Sequence, residues 1–350
     1  MLRYIARRVL WGIAMLFIVS AVVFMIFNVF PSADPAKLRA GRNASPDTIR
    51  AIRKELDLNE PIYVQYKNFM FGQDSYVHLQ SSFPFVDVYL HGDANGGVFT
   101  PQFSLGQSYY SQEPVKTIIF DRLPATALLV AGAVVFWLLM GIPIGIISAV
   151  KRRSVLDRTT MVTSLAFISA PVFWLGLVAL YLFAQDVGLI HIFPGIGSYL
   201  SANTFLEKCW SLFLPWLVLA AASAAIYARY LRSSMIDVMS EDYIRTARAK
   251  GVPEGSVIMR HGVRSAITPI VTLLGLDIGL LLAGNAILTE SVFNIPGIGR
   301  EIVTSIRTSD LPVIQGIVLF GAFFIIVCNL IVDIAYAYLD PRISYSRRTS

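Results

Sequence analysis

Six stretches of this chain are each long and apolar enough to cross a lipid bilayer as a helix, and nothing else in the sequence constrains its fold as strongly. They run approximately Val9 to Phe30, Leu123 to Val150, Thr160 to Ala184, Trp210 to Ala228, Ala266 to Thr289 and Leu311 to Leu339. A hydrocarbon core about 30 Å thick takes about 20 residues of helix, and every backbone polar group within it must be satisfied inside the segment. Charged residues are 15% of the chain, against roughly 25% in soluble domains, so a soluble globular fold is not expected. The first stretch follows Arg3, Arg7 and Arg8 as a secretory signal would. Its 22 uncharged residues are too long for a signal core and read as a retained helix.

Orientation follows from the basic residues, because short cytoplasmic loops keep Lys and Arg. Residues 1–8, 151–158, 229–264 and 340–350 carry 3, 4, 7 and 3 of them, whereas the short loops 185–209 and 290–310 carry 1 and 2. Both termini are therefore expected in the cytoplasm. Segment 31–122, with 9 basic and 10 acidic residues, is too long for that count and falls outside by parity. The net charge of +6 thus belongs to cytoplasmic loops at a membrane surface and does not imply nucleic acid. Cys209 and Cys328 lie far apart beside apolar runs and offer neither a disulfide framework nor a metal site.

The outer segment has internal order. Ser45 to Leu58 reads as a helix, with Ser45 as N-cap, Pro46 at the first position and Ile49, Ile52 and Leu56 on one face. From about 73 to 101 aromatic and polar residues alternate, and His91 to Gly97 reads as a turn between short strands. Phe83, Phe85, Tyr89 and Phe99 in that insertion are candidates for docking a partner protein; the alternatives are a local core or filler.

The longest inner loop holds Glu241-Asp242-Tyr243-Ile244-Arg245-Thr246-Ala247-Arg248-Ala249-Lys250-Gly251. Ser240 is placed to cap this helix and Gly251, in a left-handed conformation, to end it. Acids fill the first turn and bases the last, and Glu241 precedes Arg245 by four residues. Too short and polar to enter the bilayer, it either presses into a groove on another protein or is a solvated connector.

With its continuation Gly251, His261, Arg264, Ala266 and Pro269, this segment resembles the signature loop of ATP-binding-cassette (ABC) importer permeases, in the peptide and nickel branch and its first-subunit form. The resemblance runs through most of the chain. It includes Leu105-Gly106-Gln107-Ser108, Arg122-Leu123-Pro124-Ala125-Thr126, Glu290, Pro296-Gly297-Ile298-Gly299, Asp310-Leu311-Pro312 and Asp340-Pro341-Arg342-Ile343. Asp242 and the long stretch 73–101 depart from the pattern. The resemblance implies a type I importer permease, all-α and polytopic, with six transmembrane helices and an extracytoplasmic domain between helices 1 and 2. It implies docking on a nucleotide-binding subunit through Glu241, Tyr243, Arg245, Ala247, Lys250 and Gly251. It further implies a homologous second permease, two ATP-binding subunits that hold ATP and Mg, an extracytoplasmic solute-binding protein and a peptide-like cargo in a bacterial or archaeal cytoplasmic membrane.

No GxxxxGK[ST] loop, metal-ligand spacing of histidines or GxSxG elbow occurs, so the chain itself is expected to be neither an ATPase nor another enzyme. Asp277, near the middle of the fifth span, either lines the solute route or pairs structurally, since an isolated charge there costs about 2.5–3.5 kcal/mol. Gly275, Gly279 and Ala283 share one face of the same helix, either as a stripe of pathway or partner-permease contact or as ordinary packing within the chain, and Gly141, Gly145 and Ala149 form a packing stripe on the second. A self-sufficient secondary transporter or channel with Asp277 as its ion or proton site is the alternative, which inverted repeats would favour; none is visible.

The expected organisation is an arm and first helix (1–30), the outer domain (31–122), a core of five further helices (123–340) carrying the loop 229–264, and a tail (341–350). Cysteines introduced as Arg245→Cys and Ser350→Cys are expected to react with a membrane-impermeant thiol reagent from the cytoplasmic side only. Reaction from outside at either position overturns the six-span topology.

Overall fold

Lipid offers a backbone no hydrogen-bond partners, and the chain answers with helix after helix. The computed structural model describes residues 2–29, 34–40, 44–55, 58–71, 87–90, 99–102, 105 and 107–339. In chain order come α1 (Leu2–Phe24), which runs into a π-helical turn at Met25–Val29, then α2 (Pro35–Ala40), α3 (Pro46–Glu55) and α4 (Ile62–Phe71). Strands β1 (Asp87–Leu90) and β2 (Phe99–Gln102) pair antiparallel, with Leu90 opposite Phe99 and Tyr89 opposite Thr100. Next are α5 (Val115–Val150), α6 (Val155–Ser169), α7 (Val172–Phe183), α8 (Ser198–Ser201), α9 (Phe205–Ser211) and α10 (Phe213–Met239). Beyond them lie α11 (Asp242–Ala249), α12 (Glu254–Ser256), a π-helical segment Val257–Val263 and α13 (Arg264–Ala266). The chain closes with α14 (Thr268–Leu280), a π-helical turn Leu281–Asn285, α15 (Ile287–Phe293), α16 (Ile298–Thr308) and α17 (Leu311–Leu339).

Four of these, over Ala6–Val29, Val115–Val150, Phe213–Met239 and Leu311–Val332, are singly long and apolar enough to cross a membrane. Two bent pairs bring the number to as many as six if each pair counts as one span: α6 with α7 at 104°, and Glu254–Ala266 with Thr268–Gly284 at 47°. The third span is therefore not the continuous helix expected from Thr160 to Ala184. Pro171 lacks an N–H and crowds the residue before it, and Ala170 is extended at φ −81°, ψ 129°. The fifth span, expected from Ala266 to Thr289, breaks at Gly284, whose φ of 109° no helix contains. By contrast α5 passes Pro124 and Pro143 uninterrupted, and Pro215 sits in the first turn of α10, where its missing N–H goes unnoticed.

The chain divides into two compact units, Met1–Pro124 with Gly297–Ile326, and Ala125–Pro296 with Val327–Ser350. This division places α16 and the first half of α17 with the N-terminal segment, which no sequence-based boundary anticipated.

In the first unit Val115, Ile118 and Ile119 at the start of α5 pack with Ile298, Val313, Ile317 and Phe320. That buried face explains why α5 begins eight residues before the apolar run at Leu123. Gly316 makes the approach possible, since a Cβ there would overlap the Val115 side chain at 2.5 Å. On α1, Ser20 shares a hydrogen bond with the Tyr66 hydroxyl (3.0 Å), and in the π-helical turn after it Asn28 accepts one from Gln315 (2.9 Å). The expected outer helix is present as α3, with the Thr48 N–H donating to the Ser45 hydroxyl at 3.2 Å; Leu56 and Asp57 lie outside the described residues.

Buried Asp310 ties two distant motifs together. Its carboxylate accepts the Ser108 hydroxyl proton and the N–H groups of Tyr109 (3.0 Å) and Tyr110 (3.4 Å). Burial, reinforced by that carboxylate against the pull of Arg39, pushes the Tyr109 phenol up to about 12.

In the second unit α5 and α10 meet along Gly141 and Gly145, where a Cβ would come within 3.0 Å of the Ala224 carbonyl and 2.9 Å of the Ala228 carbonyl. The expected small-residue stripe of the second helix is thus packing inside the chain. Trp137 lies against Tyr227 with ring centroids 5.6 Å apart, and the Trp216 indole donates to the Leu128 carbonyl at 3.1 Å. Ahead of α10, Thr204 and Glu207 form a reciprocal cap on α9, and the N–H groups of Asn203 and Thr204 hold the Glu207 carboxyl below its usual range.

Replacing Asp310 leaves the buried Ser108 hydroxyl and the Tyr109 N–H without their acceptor, while the Tyr110 N–H keeps the Ser108 oxygen at 3.2 Å, a loss of about 2–3 kcal/mol. Asp310→Ala is expected to lower the unfolding midpoint of the detergent-solubilised chain, and Asp310→Asn, which keeps an acceptor oxygen, to lower it less.

Candidate coupling and pathway sites

The segment expected to dock on a partner is the helix α11, and its ends show how it is held. Ser240 does not cap it. At φ −92°, ψ −8° that residue still follows the course of α10, and its hydroxyl turns back to the Asp237 carbonyl (2.7 Å). Glu241 takes the N-cap position instead, extended at φ −69°, ψ 150° and without a side-chain cap bond. Arg245 pairs with Asp242 at 3.3 Å, one turn back, and not with Glu241.

Gly251 is left-handed at φ +75°, as expected. The Val252 N–H bonds the Ala247 carbonyl (3.2 Å) and the Gly251 N–H the Arg248 carbonyl (2.9 Å), the paired closure that a left-handed residue permits at a helix end. A Cβ on Gly251 would meet nothing within 4 Å, so only backbone strain, about 1–2 kcal/mol, opposes a side chain there.

One side of α11 is exposed: Glu241, Asp242, Tyr243, Arg245, Arg248 and Lys250 all reach solvent, Tyr243 with 45% of its surface. Ile244 is the inward side chain, wholly buried, and half-buried Ala247 shares that side. Ala247 therefore spaces the helix from its own chain. Sequence reading passed over the anchoring role of Ile244, although it is the only large aliphatic residue between 241 and 251. It also passed over Glu254, which binds Arg248 through two hydrogen bonds of 3.1 and 2.7 Å and fastens the loop after Gly251.

α11 packs on the π-helical segment Val257–Val263, which packs on α10 where a Cβ on Gly262 would come within 3.0 Å of the Met239 sulfur. A shallow pocket of about 320 Å³ opens here, with Arg152, Arg248 and Glu254 in its wall. Higher on α10, Arg232 grips buried Asp157 at the start of α6 through two hydrogen bonds of 2.6 and 2.8 Å. The same carboxylate accepts from the Ser148 hydroxyl and the Arg153 N–H. This clasp joins α5, α6 and α10, and nothing in the local sequence around Asp157 signals it.

Within the spans, Asp277 accepts a hydrogen bond from the Tyr227 hydroxyl at 2.8 Å. Gly275 faces the Val332 side chain on α17 of the same chain, with no room for a Cβ. Gly279 is buried and Ala283 half-buried in the π-helical turn. Glu290, wholly buried, accepts the Thr126 hydroxyl proton at 2.7 Å. In the outer insertion Tyr89 and Phe99 lie on β1 and β2, while Phe83 and Phe85 are outside the described residues.

Residues 141–345 match the family described as binding-protein-dependent transport system inner membrane component, and residues 1–131 match its N-terminal component. The chain belongs to that family. The glutathione transport system permease protein GsiC of Escherichia coli K12 is 37% identical over 345 residues, covering 99% of this chain and all of the relative. The protein of the same description from Salmonella typhi is 38% identical over the same length. This chain is accordingly a multi-pass permease subunit of an ABC importer, in the peptide and nickel branch. The self-sufficient transporter or channel is set aside, because the family works within a binding-protein-dependent system.

Gly251→Arg is expected to leave the chain inserted while weakening assembly with ATPase subunits or separating hydrolysis from uptake. Pull-down of the complex and the ratio of solute moved to ATP hydrolysed check it. Wild-type transport at normal abundance removes Gly251 from the coupling role.

Proposed function

We propose that this permease forms, with a homologous second permease, the pathway by which a peptide-like solute enters the cell. Two ATPase subunits holding ATP and Mg drive it, and an extracytoplasmic binding protein delivers the solute. On this proposal both termini lie in the cytoplasm of a bacterium or archaeon, a placement that the basic residues of the inner loops support. The observation that carries this reading is α11: a polar, exposed helix face backed by buried Ile244 and closed by left-handed Gly251 is a surface built to be pushed on.

On this reading Glu241, Tyr243, Arg245 and Lys250 meet the ATPase subunit, and Ala247 and Gly251 set the height and end of the helix. The relatives named for glutathione transport favour a small peptide carrying amino and carboxyl groups as cargo. Asp277, Gly279 and Ala283 then belong to the pathway or to the surface shared with the second permease, and Gly275 holds α14 to α17. The insertion that includes β1 and β2, with Phe83, Phe85, Tyr89 and Phe99, serves in this reading as a contact for the binding protein.

Proteoliposomes holding the four-subunit complex and its binding protein are expected to accumulate radiolabelled glutathione or a dipeptide only when ATP is enclosed. Accumulation without ATP, or of no peptide-like solute, overturns the reading. Replacing residues 76–99 by a short Gly/Ser linker is expected to abolish binding-protein docking while resting ATP hydrolysis continues. Unchanged docking would reduce the insertion to filler.

A further inference from the structure

Asp277 lies nine residues into α14, about 14 Å along the helix from Thr268, well inside the span. Its Oδ2 takes the only proton the Tyr227 hydroxyl has to give, and Tyr227 is itself 1% exposed and backed by Trp137. Tyr227 thereby fixes the direction of the carboxyl group without supplying a charge. Among the described residues no Lys, Arg or His pairs with Asp277, and no hydrogen bond reaches its Oδ1.

The group is not sealed in. Asp277 is half-buried, and its neighbours Leu276 and Leu280 are 39% and 42% exposed. A carboxyl on a lipid-facing surface at this depth is strongly disfavoured, so this side of α14 addresses water or another protein. Directly beyond Asp277 the helix loses its regular hydrogen bonding, in the π-helical turn Leu281–Asn285 with Gly284 at φ 109°. Broken helices at membrane depth are where transporters build their solute sites. An oriented carboxylate, one oxygen free, next to such a break has the chemistry to hold a positive charge.

We propose that Asp277, positioned by Tyr227, receives the ammonium group of the transported solute as it passes through the permease. The proposal rests on the peptide-import reading above. The ammonium group meets Oδ1 in a charge-assisted hydrogen bond while Oδ2 stays with Tyr227. A single such contact binds weakly enough to release the solute onward.

The test uses the full complex in proteoliposomes, with Cys209→Ser, Cys328→Ser and a reporter cysteine, Leu280→Cys, one turn from Asp277. Two membrane-impermeant methanethiosulfonates, one bearing trimethylammonium and one sulfonate, are applied. With Asp277 present the cationic reagent is expected to react faster, relative to the anionic one, by about tenfold over their ratio on a free thiol, the scale of one charge a few ångströms away near a protein surface. Asp277→Asn, which keeps the shape and an acceptor for Tyr227, is expected to erase that preference. It should also lower uptake of a dipeptide with a free amino group, with binding-protein affinity and resting ATP hydrolysis unchanged, and Asp277→Glu should recover part of the uptake.

No charge preference, no reaction with either reagent, or undiminished uptake by Asp277→Asn overturns the proposal. Should Asp277→Asn fail to assemble, the reagent ratio in the chain with native Asp277 still decides. A wild-type complex that moves no peptide defeats the import reading. One that moves peptide equally well with and without the carboxylate defeats only the role of Asp277.

Discussion

The constraint on which everything else here depends is that a backbone in hydrocarbon has no partner but itself. It makes each span a helix and makes every departure from helix a local event with a local cause. Pro171 withdraws an N–H and pushes Ala170 into an extended conformation, and α6 and α7 part at 104°. Gly284 takes a φ that side chains avoid, and the fifth span breaks there. Pro215 falls in the first turn of α10 and breaks nothing, whereas Pro269 lies just past the 47° bend at Ile267.

Lipid also removes the usual reason for helices to come together, since tails are as apolar as Leu. Close packing and polar clasps replace it. Gly141 and Gly145 let α5 settle onto α10 until backbone carbonyls stand where a Cβ would be. Asp157 gathers Ser148, Arg153 and Arg232, and Thr126 meets Glu290 in a buried pair. In the other compact unit Asp310 does the same for the Ser108–Tyr110 turn. Each clasp places a charged or polar side chain where its loss leaves other buried groups unsatisfied, which is why they fix register and not merely add stability.

These contacts give α11 something to act on. Its exposed face is free, whereas Ile244 fixes its other side, the π-helical segment beneath it rests on Met235 and Met239, and α10 carries Arg232 to Asp157. Contacts thus connect α11 to α10 and, through the clasp, to α5 and α6.

By itself the sequence determined which stretches are apolar enough to span, the short helix between the fourth and fifth of them, and the left-handed Gly251, because hydropathy and glycine at a helix end act over a few residues and need no knowledge of the rest. The same local rules misplaced the cap of α11, since Ser is the favoured cap residue but Ser240 still follows the helical course of α10 and leaves the position to Glu241. Only the tertiary structure decided that Gly275 lies against Val332, that Asp157 belongs to Arg232, 75 residues away, and that Asp277 is held by Tyr227, 50 residues away. A hydrogen bond across such a separation depends on how two helices rotate against each other, and that rotation is set by the packing of all their side chains at once.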